Sequence, residues 1–276
     1  MYEVIFLLAL GGIWITFAAI QDIRKREVAD WLNYSLIIFA IGFRFFYSLF
    51  SEQRAFFVQG VIGLGIFFIL GNLLYYGKFF AGGDAKLLIA LGAIIPVSQS
   101  FFRNIHYFSF FLISFLFTGA VYGVLWSLVL AKKNYSMFKH DFFKKIKSEK
   151  KSIAFSLLVG MIFLFFGIFF RYYLFFAFSF LFFLLPYLFL FAKAVEDTCM
   201  IKKINTRILA EGDWLYKNVM VGKKLIKSKW DGLSGEEIRL LRKHKKEVLI
   251  RQGIPFIPAF WISFLIFVIY LGYSFW

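Results

Sequence analysis

The sequence predicts an all-α membrane protein, a polytopic transmembrane helix bundle of about eight spans with a small cytoplasmic α+β insertion. Three observations carry that prediction. Of 276 residues, 61% are hydrophobic, against roughly 45–50% in soluble domains. Apolar runs of the roughly 20 residues that a helix needs to cross a bilayer recur along the chain. Basic charge is also segregated, because 28 of the 32 Lys and Arg fall on one side of those runs. A disordered chain is excluded by the same composition. The net charge of +16 would suggest nucleic acid in a soluble protein, but here it records topology, so no nucleic-acid partner is expected. The single cysteine, Cys199, excludes a disulfide framework and a multi-cysteine zinc site.

The predicted spans are residues 2–21, 32–50, 55–76, 85–102, 107–131, 153–170, 172–192 and 255–275. The first is not read as a cleavable signal peptide, since Tyr2-Glu3 is no basic leader region and no small-x-small site precedes Arg24. Pro96 and Ser98 weaken the distal end of the fourth, and the sixth and seventh are separated only around Arg171, as in a tight hairpin. Basic loops stay cytoplasmic. With the N-terminus outside, the cytoplasm receives Arg24–Arg26, Lys78, Lys86, the lysines of 132–151 and the basic residues of 193–251. The expected organisation is a transmembrane core over 1–131, a basic cytoplasmic loop over 132–152, a transmembrane hairpin over 153–192, a cytoplasmic insertion over 193–253 and a final span over 254–276. In a cell membrane this is a multi-pass protein.

In the basic loop, Lys139, Lys144, Lys145, Lys147, Lys150 and Lys151 flank Phe138, Phe142, Phe143 and Ile146. That is the pattern of an interfacial amphipathic helix lying on anionic lipid. In the insertion, Ser234-Gly235-Glu236-Glu237 has the form of a capping box opening a helix through Lys246. Thr206 to Lys229 alternates apolar and polar residues, with Gly212, Gly222 and Gly232 as punctuation, and suits a small β-rich unit. The glycines at 60, 63 and 65 and the Gly119-x-x-x-Gly123 pair suit close helix packing. Arg44, within the second span, is expected to reach toward the outer face.

Acidic residues at the edge of a span are costly and mark functional candidates. Among 16 acids, Asp22 closes the first span and Asp84 opens the fourth, so the topology places both at one depth on the same face. Several readings fit that placement. Asp84 beside Gly82-Gly83 suits a helix cap, and Asp22 suits a pair with Arg26 one turn on. Carboxylates of this kind also serve cation- or proton-coupled transporters. Two carboxylates at one depth equally suit an aspartyl protease: like charges a few ångström apart cannot both ionise. One then accepts the proton of an attacking water while the other donates to the peptide carbonyl oxygen. Glycines at 82 and 83 would let the backbone approach an extended substrate.

The words around the two aspartates are more specific. Asp22-Ile23-Arg24-Lys25-Arg26-Glu27-Val28-Ala29-Asp30-Trp31, at the end of a first span, and Gly82-Gly83-Asp84-Ala85-Lys86-Leu87-Leu88, opening a fourth, resemble the two aspartate motifs of archaeal type IV prepilin and preflagellin peptidases. The resemblance covers about residues 1–130. The family's second motif starts with a glycine where this chain has Ala81. The resemblance implies a membrane aspartyl endopeptidase that removes the basic leader from prepilin-like or preflagellin-like precursors at the cytoplasmic face, with Asp22 and Asp84 catalytic and Gly82 and Gly83 beside the substrate. A presenilin-like protease cutting inside a span would use the same chemistry. Glu27 and Asp30, acids near Asp22, are expected to contact the basic leader. Neither a metal nor a cofactor is expected, and Gly253-Ile254-Pro255-Phe256-Ile257-Pro258-Ala259 is read as the entry to the last span.

Overall fold

The structure is a computed structural model describing residues 2–222, 224–229 and 232–275. Lys223, within the predicted β-rich stretch, lies outside them. The helices, in chain order, are α1 (Tyr2–Lys25), α2 (Asp30–Ser51), α3 (Arg54–Tyr76), α4 (Gly82–Leu91), α5 (Phe101–Lys133), α6 (Tyr135–Ser148), α7 (Lys150–Phe170), α8 (Tyr173–Thr198), α9 (Gly235–His244) and α10 (Ile257–Phe275). Seven of the helices in the described residues are long and apolar enough to cross a membrane, all but α4, α6 and α9. The protein is a polytopic helical membrane bundle with a small sheet region. It divides into two compact units, Met1–Gly123 with Ile254–Trp276, and Val124–Gly253.

The first unit differs from expectation at its fourth span. Instead of a helix over 85–102, α4 ends after ten residues, and the backbone runs in turns and bends to Ser100. Irregular backbone at membrane depth is tolerated only where protein supplies its hydrogen bonds. Arg44 of α2 does so. It is fully buried, and its guanidinium donates to the carbonyls of Ala93 (2.9 Å), Ile94 (3.3 Å), Pro96 (2.5 Å) and Phe56 (2.8 Å). The Phe56 ring lies 4.4 Å from the guanidinium carbon. Arg44 therefore does not reach for the outer face; it caps the broken segment. Asn104 completes the support by accepting from Ser98 N–H and donating to Ser98 O and Gln59 Oε1.

The broken segment still traverses the bundle. It starts beside the end of α3, and Gln99 at its far end donates to Gln53 in the α2–α3 loop. Gly63 of α3 and Gly92 lie backbone to backbone: a Cβ on Gly92 would sit 2.6 Å from Phe67 Cβ and 2.7 Å from Gly63 O. By contrast, Gly65 and Gly123 face open space, so the packing role expected of them does not hold. The core of this unit consists of Leu7, Ile15 and Ala18 of α1, Leu87, Leu88 and Leu91 of α4, Phe111 and Phe115 of α5, and Phe260, Phe264 and Phe267 of α10.

In the second unit α7 and α8 form the expected hairpin, turning at Arg171 in the left-handed region (φ 52°). The Ser156 hydroxyl donates to Phe182 O at 2.7 Å. The basic loop is helical: α6 is seated on α8 by Phe138 against Phe191 and by Lys145 between Asp141 and Asp197. Cys199 is buried with Ala131 and Val195. The strands are β1 (Ile201–Asn205), β2 (Trp214–Leu215), β3 (Val219–Val221), β4 (Lys224–Ile226) and β5 (Glu247–Arg251). β5 is the centre of an antiparallel β1-β5-β2 sheet, and β3 pairs with β4. Gly222, at φ 61°, closes the β3–β4 turn. The capping box is present with both of its bonds: Ser234 Oγ accepts from Glu237 N–H, and Glu237 accepts from Ser234 N–H.

Candidate active site

Asp22 lies in the last turn of α1 and is 7% exposed. A buried carboxylate needs donors, and the start of the last span supplies one. Asp22 Oδ2 accepts the backbone N–H of Ile257 at 2.9 Å, and the Phe256 amide lies beside the carboxyl. These are the residues that open α10, so the end of the first span is joined to the start of the last. The chain then turns sharply: Arg26, at φ 60°, donates its N–H to Asp22 O at 2.9 Å and ends α1. Ala29 N–H donates to Gln21 Oε1, which folds residues 26–29 back over the helix end and buries Val28.

Asp84 arrives from the other side. Ala81, in extended backbone (φ −71°, ψ 160°), is the N-cap of α4, and its carbonyl accepts the first helical N–H from Ala85. Asp84 is the third residue of the helix. Its carboxyl lies beside the Ala81 amide and in the electrostatic field of Asp22. The two aspartates singled out from the sequence are thus brought to one end of the same unit, with their charges coupled. Arg26 and the half-buried Tyr122 of α5 also face Asp22.

Gly82 and Gly83 flank this pair in helical backbone. Neither has a positive φ. A Cβ at Gly82 would stand 3.8 Å from Tyr75, and one at Gly83 3.7 Å from Val28, which is ordinary contact. The fold itself therefore does not demand glycine at either position. Glu27 is exposed, whereas Asp30 is engaged: its Oδ1 takes an ion pair from Lys86 Nζ at 2.5 Å, tying the start of α2 to α4. Among the described residues no group of three or more His, Cys, Asp and Glu could hold a metal ion. The Ile257 and Phe256 amides were missed as site groups because backbone donors carry no side-chain signature. Their only trace is the pair of prolines, Pro255 and Pro258, which marks the helix start.

A helical membrane bundle that places two carboxyls at one end, one in the field of the other, holds groups able to take up and give protons. Residues 9–124 match the model of the type IV leader peptidase family, so the resemblance carried by the two aspartate motifs holds over that stretch. Similar curated proteins are preflagellin peptidases of archaea. That of Methanococcus maripaludis is 28% identical over 132 residues, 45% of this chain and 57% of that protein. That of Methanocaldococcus jannaschii is 32% identical over 87 residues, 32% of this chain and 37% of that protein. The Methanococcus voltae protein is 25% identical over 136 residues. The chain thus spans between about a third and three-fifths of the length of the curated relatives it matches. No solved structure matches it.

Proposed function

We propose that this protein is an aspartyl endopeptidase that removes the basic leader from prepilin-like or preflagellin-like precursors at the cytoplasmic face of the membrane. The observation that carries the reading is the coupled pair Asp22 and Asp84, formed by the two motifs that lie inside the stretch matching the leader peptidase family. Water adds to the carbonyl carbon of the scissile bond as one carboxylate takes its proton. The other carboxyl gives its proton to the carbonyl oxygen. The tetrahedral diol then collapses, the C–N bond breaks, and the proton taken from water passes to the leaving nitrogen while a diol hydroxyl returns the other proton to its carboxylate.

The cytoplasmic assignment rests on the segregation of basic residues, since Arg24–Arg26, Lys78 and Lys86 accompany both aspartates. Gly82 and Gly83, which the fold does not require, keep the approach to Asp84 open for an extended backbone. A basic leader would be repelled by the basic face; of the acids near Asp22, Glu27 is exposed and can offset this, and Asp30 can do so by exchanging its partner Lys86 for a leader residue. The exposed lysines of α6, including Lys139 and Lys144, suit anionic headgroups. The test is leader cleavage by membranes carrying Asp22→Asn or Asp84→Asn. Each substitution abolishes processing while the protein still inserts; processing by either variant sinks the assignment.

A further inference from the structure

We propose that the first turn of α10 is a positioning element that fixes Asp22 as the ionised, water-activating member of the pair, leaving Asp84 as the carboxyl that donates its proton to the substrate. This rests on the aspartyl endopeptidase reading above and assigns the two roles within it. The two carboxyls have unequal surroundings. Asp22 accepts the Ile257 amide at 2.9 Å, lies beside the Phe256 amide and faces the Arg26 guanidinium. Asp84 lies beside the amide of Ala81 and faces the charge of Asp22. Backbone N–H bonds and a nearby cation favour the charged form of a carboxylate, and a neighbouring like charge disfavours it.

The geometry of the helix start adds a second argument. The N–H groups of a helix's first turn have no partner within the helix, and their aligned dipoles favour a negative charge beside them. Asp22 supplies that charge from a different helix. Pro258 has no N–H, and the Ala259 N–H donates to Phe256 O, so the Ile257 N–H is the first-turn donor turned to Asp22. The charged and titratable groups facing Asp22 are Arg26 from the α1–α2 loop, Asp84 from α4 and Tyr122 from α5. Of these, Arg26 is the cation and reinforces the same assignment.

Ile257→Pro isolates the contact. Proline suits the first position of a helix, where its missing N–H is not used by the helix, yet it removes the donor to Asp22. The assay is the pH dependence of kcat/KM for a precursor peptide made of a basic leader and an apolar segment, with the full-length protein in liposomes. If Asp22 holds the charge, losing the donor makes it harder to ionise, so the acid limb moves to higher pH by about one unit. Ile257→Val, which keeps the N–H, leaves that limb in place. Arg26→Gln, at a half-buried turn outside the helices, moves the acid limb in the same direction and supplies the readout where Ile257→Pro does not fold. Movement of the alkaline limb alone would mean that Asp84 is the base and would overturn the assignment, as would a profile that both substitutions leave unmoved. Asp22→Asn and Asp84→Asn run alongside. Cleavage by either of them would instead remove the aspartyl reading itself.

Discussion

Arg44→Met tests how the broken fourth span is held. The substitution keeps an apolar stem in the cavity but withdraws four hydrogen bonds, to the carbonyls of Phe56, Ala93, Ile94 and Pro96, together with the contact to the Phe56 ring. A hydrogen bond to a charged group contributes about 1.5–3 kcal/mol. The four do not sum, because methionine does not bear the cost of burying a charge. What remains is a set of buried carbonyls without donors, each costing about 1–3 kcal/mol, offset in part by the charge no longer being buried, so a net loss of several kcal/mol is expected here. Thermal unfolding of the detergent-solubilised protein, followed by intrinsic tryptophan fluorescence, should then shift downward on the order of 10 °C. Arg44→Lys should fall between the two, since a point charge on a flexible stem cannot reproduce a planar fork that reaches several carbonyls. If Arg44→Met unfolds within about a degree of the parent, Arg44 does not hold the segment and the account of α4 is wrong.

Other outcomes follow from the same contacts. Gly92→Leu places a side chain where the Cβ alone would already meet Phe67 and Gly63 O, so the variant should fail to accumulate in membranes, read by immunoblot, whereas Gly65→Leu, facing open space, should accumulate normally. Ser234→Ala removes one bond of the α9 capping box and should lower hydrogen-exchange protection in that helix by about 1 kcal/mol. Glu237 is held below the ordinary carboxylate value, first by the Ser234 amide and then by Lys229. Its contribution is therefore complete above the ordinary value of 4.5 and is lost as pH falls below it, so α9 protection should weaken on acidification. Because the proposed chemistry uses two carboxyls and water, EDTA should leave leader cleavage unchanged.

The spans were legible because a twenty-residue apolar run admits few structures, and the hairpin at Arg171 and the capping box at Ser234 were legible because each is a local pattern. Asp22 and Asp84 stood out for the same kind of reason: acids are few in this chain, and these two sit at span ends on one side. What the sequence concealed depends on contacts between distant segments. Residues 85–97 are apolar whether helical or irregular, and only the meeting of Arg44 with carbonyls 49 to 52 residues away makes a broken span affordable. β5 is a five-residue strand directly after a helix, and only its partners β1 and β2 declare it. The amides of Phe256 and Ile257 are invisible for a simpler reason, since every residue but proline has one.

The most direct test of the central claim is mass spectrometry of a precursor processed by the purified protein in liposomes. The proposed dyad at the cytoplasmic end of the bundle predicts a single cut, with a product beginning at the border between the basic leader and the apolar segment. A cut within the apolar segment, or a precursor left intact by the parent protein, would contradict it.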